Sequence, residues 1–131
     1  METAQLDLST SRRTQFVPVT GPIAGVIAKN GWRDGVLTIF VPHTTAAVTI
    51  NENADPDVAT DMESFSDQLI PQSRHFRHAE GNSDAHIKAS LFGASLQVIV
   101  RGGAIWLGTW QGIYFCEFDG PRQRTLFMAF S

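Results

Sequence analysis

The spacing of hydrophobic and polar positions changes along this chain, and each change marks an element. The opening segment TAQLDLSTSRRTQFVPVT alternates loosely, which predicts one or two strands with Leu6 and Leu8 on a shared face. Gly21-Pro22 then starts a short helix. Proline suits the first helical position, Ile23, Val26 and Ile27 recur at helical spacing, and Asn30-Gly31 supplies a stop. After a turn at Trp32-Arg33-Asp34-Gly35, the stretches Val36 to Val41 and Thr44 to Ile50 read as strands, broken by Pro42-His43. Asp55-Pro56 opens a longer helix with aspartate as its cap. Val58, Met62, Phe65 and Leu69 form an apolar stripe expected to lie on a sheet, while Asp57, Asp61, Glu63 and Asp67 face elsewhere.

Pro71 ends that helix, and residues 71–82 are a polar loop. Ser83 or Asp84 caps a further helix running to about Leu91, with Ile87 and Leu91 expected inward, Lys88 outward, and His86 and Ser90 on one side. From Ser95 the pattern is all strand. It predicts Leu96 to Val100, a tight hairpin at Arg101-Gly102-Gly103, Ala104 to Leu107, Gln111 to Phe118, and Arg124 to Phe130. Short strands, hairpin connections and two or three helices imply one α+β domain over residues 1–131, mainly an antiparallel β-sandwich. The last strand is apolar on both faces, so association with further copies is expected to cover it.

Composition narrows the function classes. A chain of 131 residues supports a single core. Its net charge of −3 argues against general nucleic-acid binding, which needs a basic surface to neutralise phosphates. The lone Cys116 excludes an intramolecular disulfide and suits a reducing compartment. No apolar run reaches membrane-spanning length and METAQLDLSTSRR lacks a signal-peptide core, so a cytoplasmic protein with no membrane partner is expected.

Candidate chemistry gathers around histidines. His43, His78 and His86 read as one metal site, and three imidazoles favour zinc over magnesium, which prefers oxygen ligands. Glu80 would serve as general base or would orient a ligand histidine. Arg122, Arg124 and Lys88 are candidate clamps for anionic groups, with Arg122 the one placed in a catalytic role. Trp110 offers a stacking face, and Thr109, Gln111, Asn51 and Asn53 offer neutral hydrogen-bonding groups. Alternation along IYFCEFDG puts Tyr114, Cys116 and Phe118 on one face and Ile113, Phe115 and Glu117 on the other. Cys116 therefore reads as a buried small hydrophobe, with a nucleophilic role the lesser alternative.

The phrases PHTTAAVTINENADPDV (42–58), the DM of the long helix (61–62), HAEGN and AHIKASLFG within 78–93, and GTWQGI and EFDGPRQR within 108–124 resemble the YjbQ-like family, often labelled a secondary thiamine-phosphate synthase family. The resemblance implies a β-sandwich with helices, a homotrimer, and a histidine site near subunit contacts. It implies His43, His78 and His86 as the metal ligands and a small phosphorylated or heteroaromatic ligand. The activity implied is a slow joining of hydroxymethylpyrimidine diphosphate to thiazole phosphate. A metal-dependent hydrolase and a non-catalytic trimeric metal- or anion-binding module are the alternative readings.

Overall fold

A computed structural model describes all 131 residues. In chain order the elements are β1 (Glu2–Ser9), β2 (Gln15–Pro18), α1 (Thr20–Asn30), β3 (Gly35–Phe40), β4 (Ala46–Glu52) and α2 (Pro56–Leu69). They are followed by α3 (Ser83–Phe92), β5 (Ser95–Arg101), β6 (Ala104–Ile105), β7 (Gln111–Glu117) and β8 (Gln123–Phe130). All strand pairings are antiparallel. They form a five-stranded sheet in the order β1-β8-β3-β5-β6 and a three-stranded sheet in the order β2-β7-β4. The α+β class with dominant antiparallel sheet therefore holds. No helix is long and apolar enough to cross a membrane.

Two cores lie on either side of the small sheet. The larger joins Leu37, Ile39, Val98, Val100, Leu126 and Met128 of the large sheet to Val48, Ile113 and Phe115 of the small one, with Ile23 and Ile27 of α1 closing the end. Full burial of each such side chain contributes about 1.5–3 kcal/mol. The smaller core packs Ala47, Tyr114, Cys116 and Phe118 against Ala85 and Ala89 of α3. β7 is thus buried on both faces, and the two sets separated by its alternation enter different cores.

Local signals placed several boundaries. Asp55 accepts the Asp57 N–H at 2.9 Å and starts α2. Gly31, at φ 66°, closes α1 in the left-handed conformation that glycine adopts at least cost. Gly102 and Gly103 both take positive φ, as the tight β5–β6 hairpin requires.

Helix orientation differs from expectation. In α3 the buried face is Asp84, Ala85, Lys88 and Ala89, whereas Leu91 is 67% exposed and Ile87 is also exposed. The small alanines allow the helix to approach Ala47 closely, and the charged pair is neutralised by partners from distant segments. A reading that ranks bulk apolar side chains as inward cannot see either effect. In α2 the stripe is only half used: Met62 packs on the smaller core, but Phe65 is 62% exposed and Leu69 is exposed too. With Leu91 and Phe92 they line an open groove of about 400 Å³ between α2 and α3.

Candidate functional site

His43 follows Pro42 in the short connection between β3 and β4. β3 has ended at Phe40, so the Thr125 N–H of β8 has no strand partner on that side; it donates to His43 Nε2 at 3.0 Å. The ring is fixed by main chain at one nitrogen. Burial, reinforced by the Arg124 charge, holds the His43 pKa below the ordinary histidine value, so the imidazole is neutral near pH 7. His43 borders a pocket of about 490 Å³ together with Phe40, Thr44, Thr45, Arg122 and Arg124.

The two arginines of this pocket are held differently. Arg124 is buried and bound through Nε and Nη2 to Glu117, and its Nη2 also bonds the Thr45 hydroxyl at 2.8 Å. Burial by itself would raise the Glu117 carboxyl, but hydrogen bonds from Arg124, Thr10 and the Asp119 N–H hold it below the usual carboxylate range. Arg122 is half exposed, and its nearest acidic group is Asp119 at 3.6 Å. Arg122 therefore keeps donors for a ligand, whereas most of Arg124 is already committed.

His78 and His86 form a second group. Their rings meet edge to face at 5.5 Å between centroids, one from the 71–82 loop and one from the first turns of α3. They border a separate pocket of about 510 Å³ with Phe76, Arg77, Ser83 and Ile87. Glu80 is exposed and lies 3.8 Å from His78 Nε2. Within one chain no set of three histidine, cysteine or carboxylate side chains could share an ion, so His43, His78 and His86 do not form the expected centre here. Asp119 accepts from Asn82 Nδ2 at 2.9 Å and lies 3.6 Å from Arg122 Nη1.

The other expected residues lie elsewhere. β4 is about 20 Å long at roughly 3.3 Å per residue, and Asn51 and Asn53 stand at the end remote from His43. Asn53 accepts the Tyr114 hydroxyl at 2.9 Å and occupies the space a side chain at Gly112 would need. Gln111 accepts the Gly108 N–H at 2.8 Å, closing its own turn, beside Thr109 and an exposed Trp110. Lys88 does not point outward. It is 1% exposed and donates to Asp67 at 2.7 Å and Asp84 at 3.1 Å, while Arg13 binds Asp84 with both terminal nitrogens. Lys88 borders a separate pocket of about 390 Å³ with Arg12, Arg13, Asp67 and Asp84, away from His43, and its ammonium is already engaged by two carboxylates. Cys116 is buried with its thiol pKa pushed up by desolvation, which leaves it unreactive.

Sequence reasoning missed Glu117, Thr10, Thr45, Asp84 and Arg13, all needed to set the electrostatics of these groups. Thr10 and Glu117 meet across 107 residues, Thr45 and Arg124 across 79, and Arg13 and Asp84 across 71; the i,i+4 spacing of Asp84 and Lys88 is a local hint.

Comparison with known proteins identifies the family and the fold. The profile of the family described as UPF0047 protein YjbQ-like matches residues 4–131. A UPF0047 protein of Methanocaldococcus jannaschii is 50% identical over 121 residues, covering 92% of this chain and 88% of the relative. The Bacillus subtilis protein YugU is 48% identical, covering 94% of each. A crystal structure of a YjbQ/UPF0047 protein from Clostridium acetobutylicum superposes with a TM-score of 0.93 at 48% identity, covering 98% of this chain and 99% of the other. A crystal structure of a hypothetical protein from Aeropyrum pernix gives 0.94 at 38% identity, covering 100% and 98%. With sequence and fold matching over nearly the whole length, this chain belongs to the YjbQ-like UPF0047 family.

Proposed function

We propose that this protein is a small metal-binding enzyme acting on a phosphorylated or heteroaromatic substrate, with slow thiamine-phosphate synthesis as its reaction. The observation that carries the reading is the pocket beside His43, lined by two guanidinium groups and no carboxylate. In that reaction the bond from the pyrimidine methylene carbon to the diphosphate oxygen breaks as the thiazole nitrogen bonds to the same carbon. Pyrophosphate leaves with the electron pair. Cationic donors placed where that charge develops lower the barrier, and Arg122 with the pocket face of Arg124 would supply them.

A divalent ion belongs to this reading on the His78 and His86 side, zinc before magnesium given the imidazole donors. Two ligands do not complete a centre, so the rest must come from a further copy, water or substrate. A homotrimer completes the proposal, and exposed apolar surface supports it. Val36, Phe40, Ile99 and Phe127 lie open on the large sheet, and Phe65, Leu69 and Leu91 lie open on the helices. Two unlike patches on one chain suit a head-to-tail ring. Light scattering at micromolar concentration should give three times the 14.4 kDa chain mass.

Complementation of a bacterial strain lacking its main thiamine-phosphate synthase tests the reaction. The wild type should restore growth without thiamine, and His43→Ala, His86→Ala and Arg122→Ala should not. Equal growth with the variants would show the site to be wrong. Absence of growth with soluble protein present would favour the second reading, a metal-dependent hydrolase, for which Glu80 beside His78 is the supporting contact.

A further inference from the structure

We propose that His43 is an oxyanion donor and not a metal ligand: together with Arg122 and Arg124 it binds a phosphate-type group directly, with no ion required. A ring nitrogen that accepts an N–H carries no proton. Since Nε2 accepts from Thr125, the neutral ring holds its proton on Nδ1. A protonated Nδ1 has no lone pair for a cation, and an Nε2 freed for one would leave the Thr125 N–H without its partner. No other residue receives a bond from Nδ1–H, and His43 borders the arginine pocket.

Arg124 supplies an independent observation. This guanidinium is 2% exposed and spends Nε and Nη2 on Glu117 and Thr45, but its Nη1 has no partner in the protein. The buried side-chain atoms lacking partners are Trp32 Nε1 and Asn82 Oδ1 alone, so Arg124 Nη1 stays within reach of solvent, and the pocket beside His43 is the surface that Arg124 lines. A charged group so deeply buried that leaves one N–H pair uncovered beside a cavity is a preformed oxyanion donor. Arg122, with half its side chain exposed, adds a second guanidinium, and Thr44 adds a hydroxyl. No acidic side chain lines the pocket, and its volume of about 490 Å³ accommodates a phosphate or diphosphate end of a substrate. The deep burial of the Glu117–Arg124 pair keeps these donors in place before the ligand arrives.

This inference deepens the proposed function by assigning the substrate's anionic end to the His43 pocket, and it rests on that reading only for the identity of the whole substrate. It is tested by calorimetric titration of the full chain, freed of metal with a chelator, using inorganic phosphate, pyrophosphate and sulfate. Binding should persist in the chelator. His43→Gln, which can still accept from Thr125 but offers no donor at the Nδ1 position, should weaken it about tenfold or more, the range for a hydrogen bond to a charged group. His43→Asn, which places an amide nitrogen near Nδ1, should retain more affinity than His43→Gln, and Arg122→Ala should weaken binding at least as much. Long-range nitrogen–proton NMR of the wild type reports the tautomer without any substitution, and a proton on Nδ1 is expected. Loss of phosphate binding in the chelator, equal affinity in His43→Gln, a proton on Nε2, or coordination of added zinc by His43 would each overturn the proposal. Failure of the growth assay alone would remove the synthase reaction and leave this oxyanion pocket standing.

Discussion

The two histidine groups are built in opposite ways. His43 sits where a strand has just ended, tied to main chain at Thr125 and backed by Arg124, Glu117, Thr10 and Thr45, which are all buried. His78 and His86 touch each other, but His78 hangs on a polar loop and its charged neighbour Glu80 is exposed. The first group is preorganised because its members also hold the sandwich together. The second relies on exposed groups, His78 at 46% and Glu80 at 74%, with no buried charge behind them.

The largest expected effect tests the rigidity of the first group. Arg124→Met leaves Glu117 charged, fully buried and short of its main partner, and should lower stability by about 3–5 kcal/mol in urea denaturation. A loss below about 1 kcal/mol would show that the pair is not what fixes the His43 pocket. Next comes the helix that carries His86. Lys88→Ala removes two charge-assisted hydrogen bonds from the buried Asp84 and the half-exposed Asp67, and a cost of about 1.5–3 kcal/mol is expected because Arg13 still holds Asp84.

A smaller effect concerns pH. The folded state lowers the His43 pKa, so the unfolded chain binds the proton more readily. Stability contributed by the neutral ring is full above the unfolded value of about 6.5 and is lost as pH falls below it towards the folded value. The wild type should therefore lose more stability than His43→Asn between about pH 7 and 5. Glu117 and Asp84, also lowered on folding, add to acid lability at still lower pH, as each must be protonated against its bonds. Parallel denaturation midpoints for the wild type and His43→Asn would refute the assignment. The smallest effect is expected at the exposed His78 and Glu80. His78→Ala and Glu80→Ala should change stability by no more than about 0.5 kcal/mol, with thermal denaturation as the check.

Much of the fold could be read from local pattern. Asp55-Pro56, Asn30-Gly31 and the Gly102-Gly103 hairpin act within a few residues, so their turn and cap chemistry is visible in the chain itself. The alternation of β7 placed Cys116 correctly as a buried residue and separated the two cores. Residue chemistry pointed to His43, Arg122 and Arg124, which do share a pocket. It pointed equally to Asn53, Gln111 and Lys88, whose side chains are engaged within the protein, at the far end of β4 or inside an ion network.

The sequence by itself determined which segments became strands and helices and which family the chain resembled, because those depend on periodicity, capping and short motifs, although β4 runs Ala46–Glu52 and β6 ends at Ile105, two residues from the expected bounds. Only the tertiary structure decided which face of α3 is buried, that His43 stands apart from His78 and His86, and which nitrogen of His43 is occupied. The physical reason is that burial of a charge depends on partners brought from distant segments. Asp84 meets Arg13 across 71 residues, Glu117 meets Thr10 across 107, and His43 meets Thr125 across 82, and no local spacing encodes such meetings.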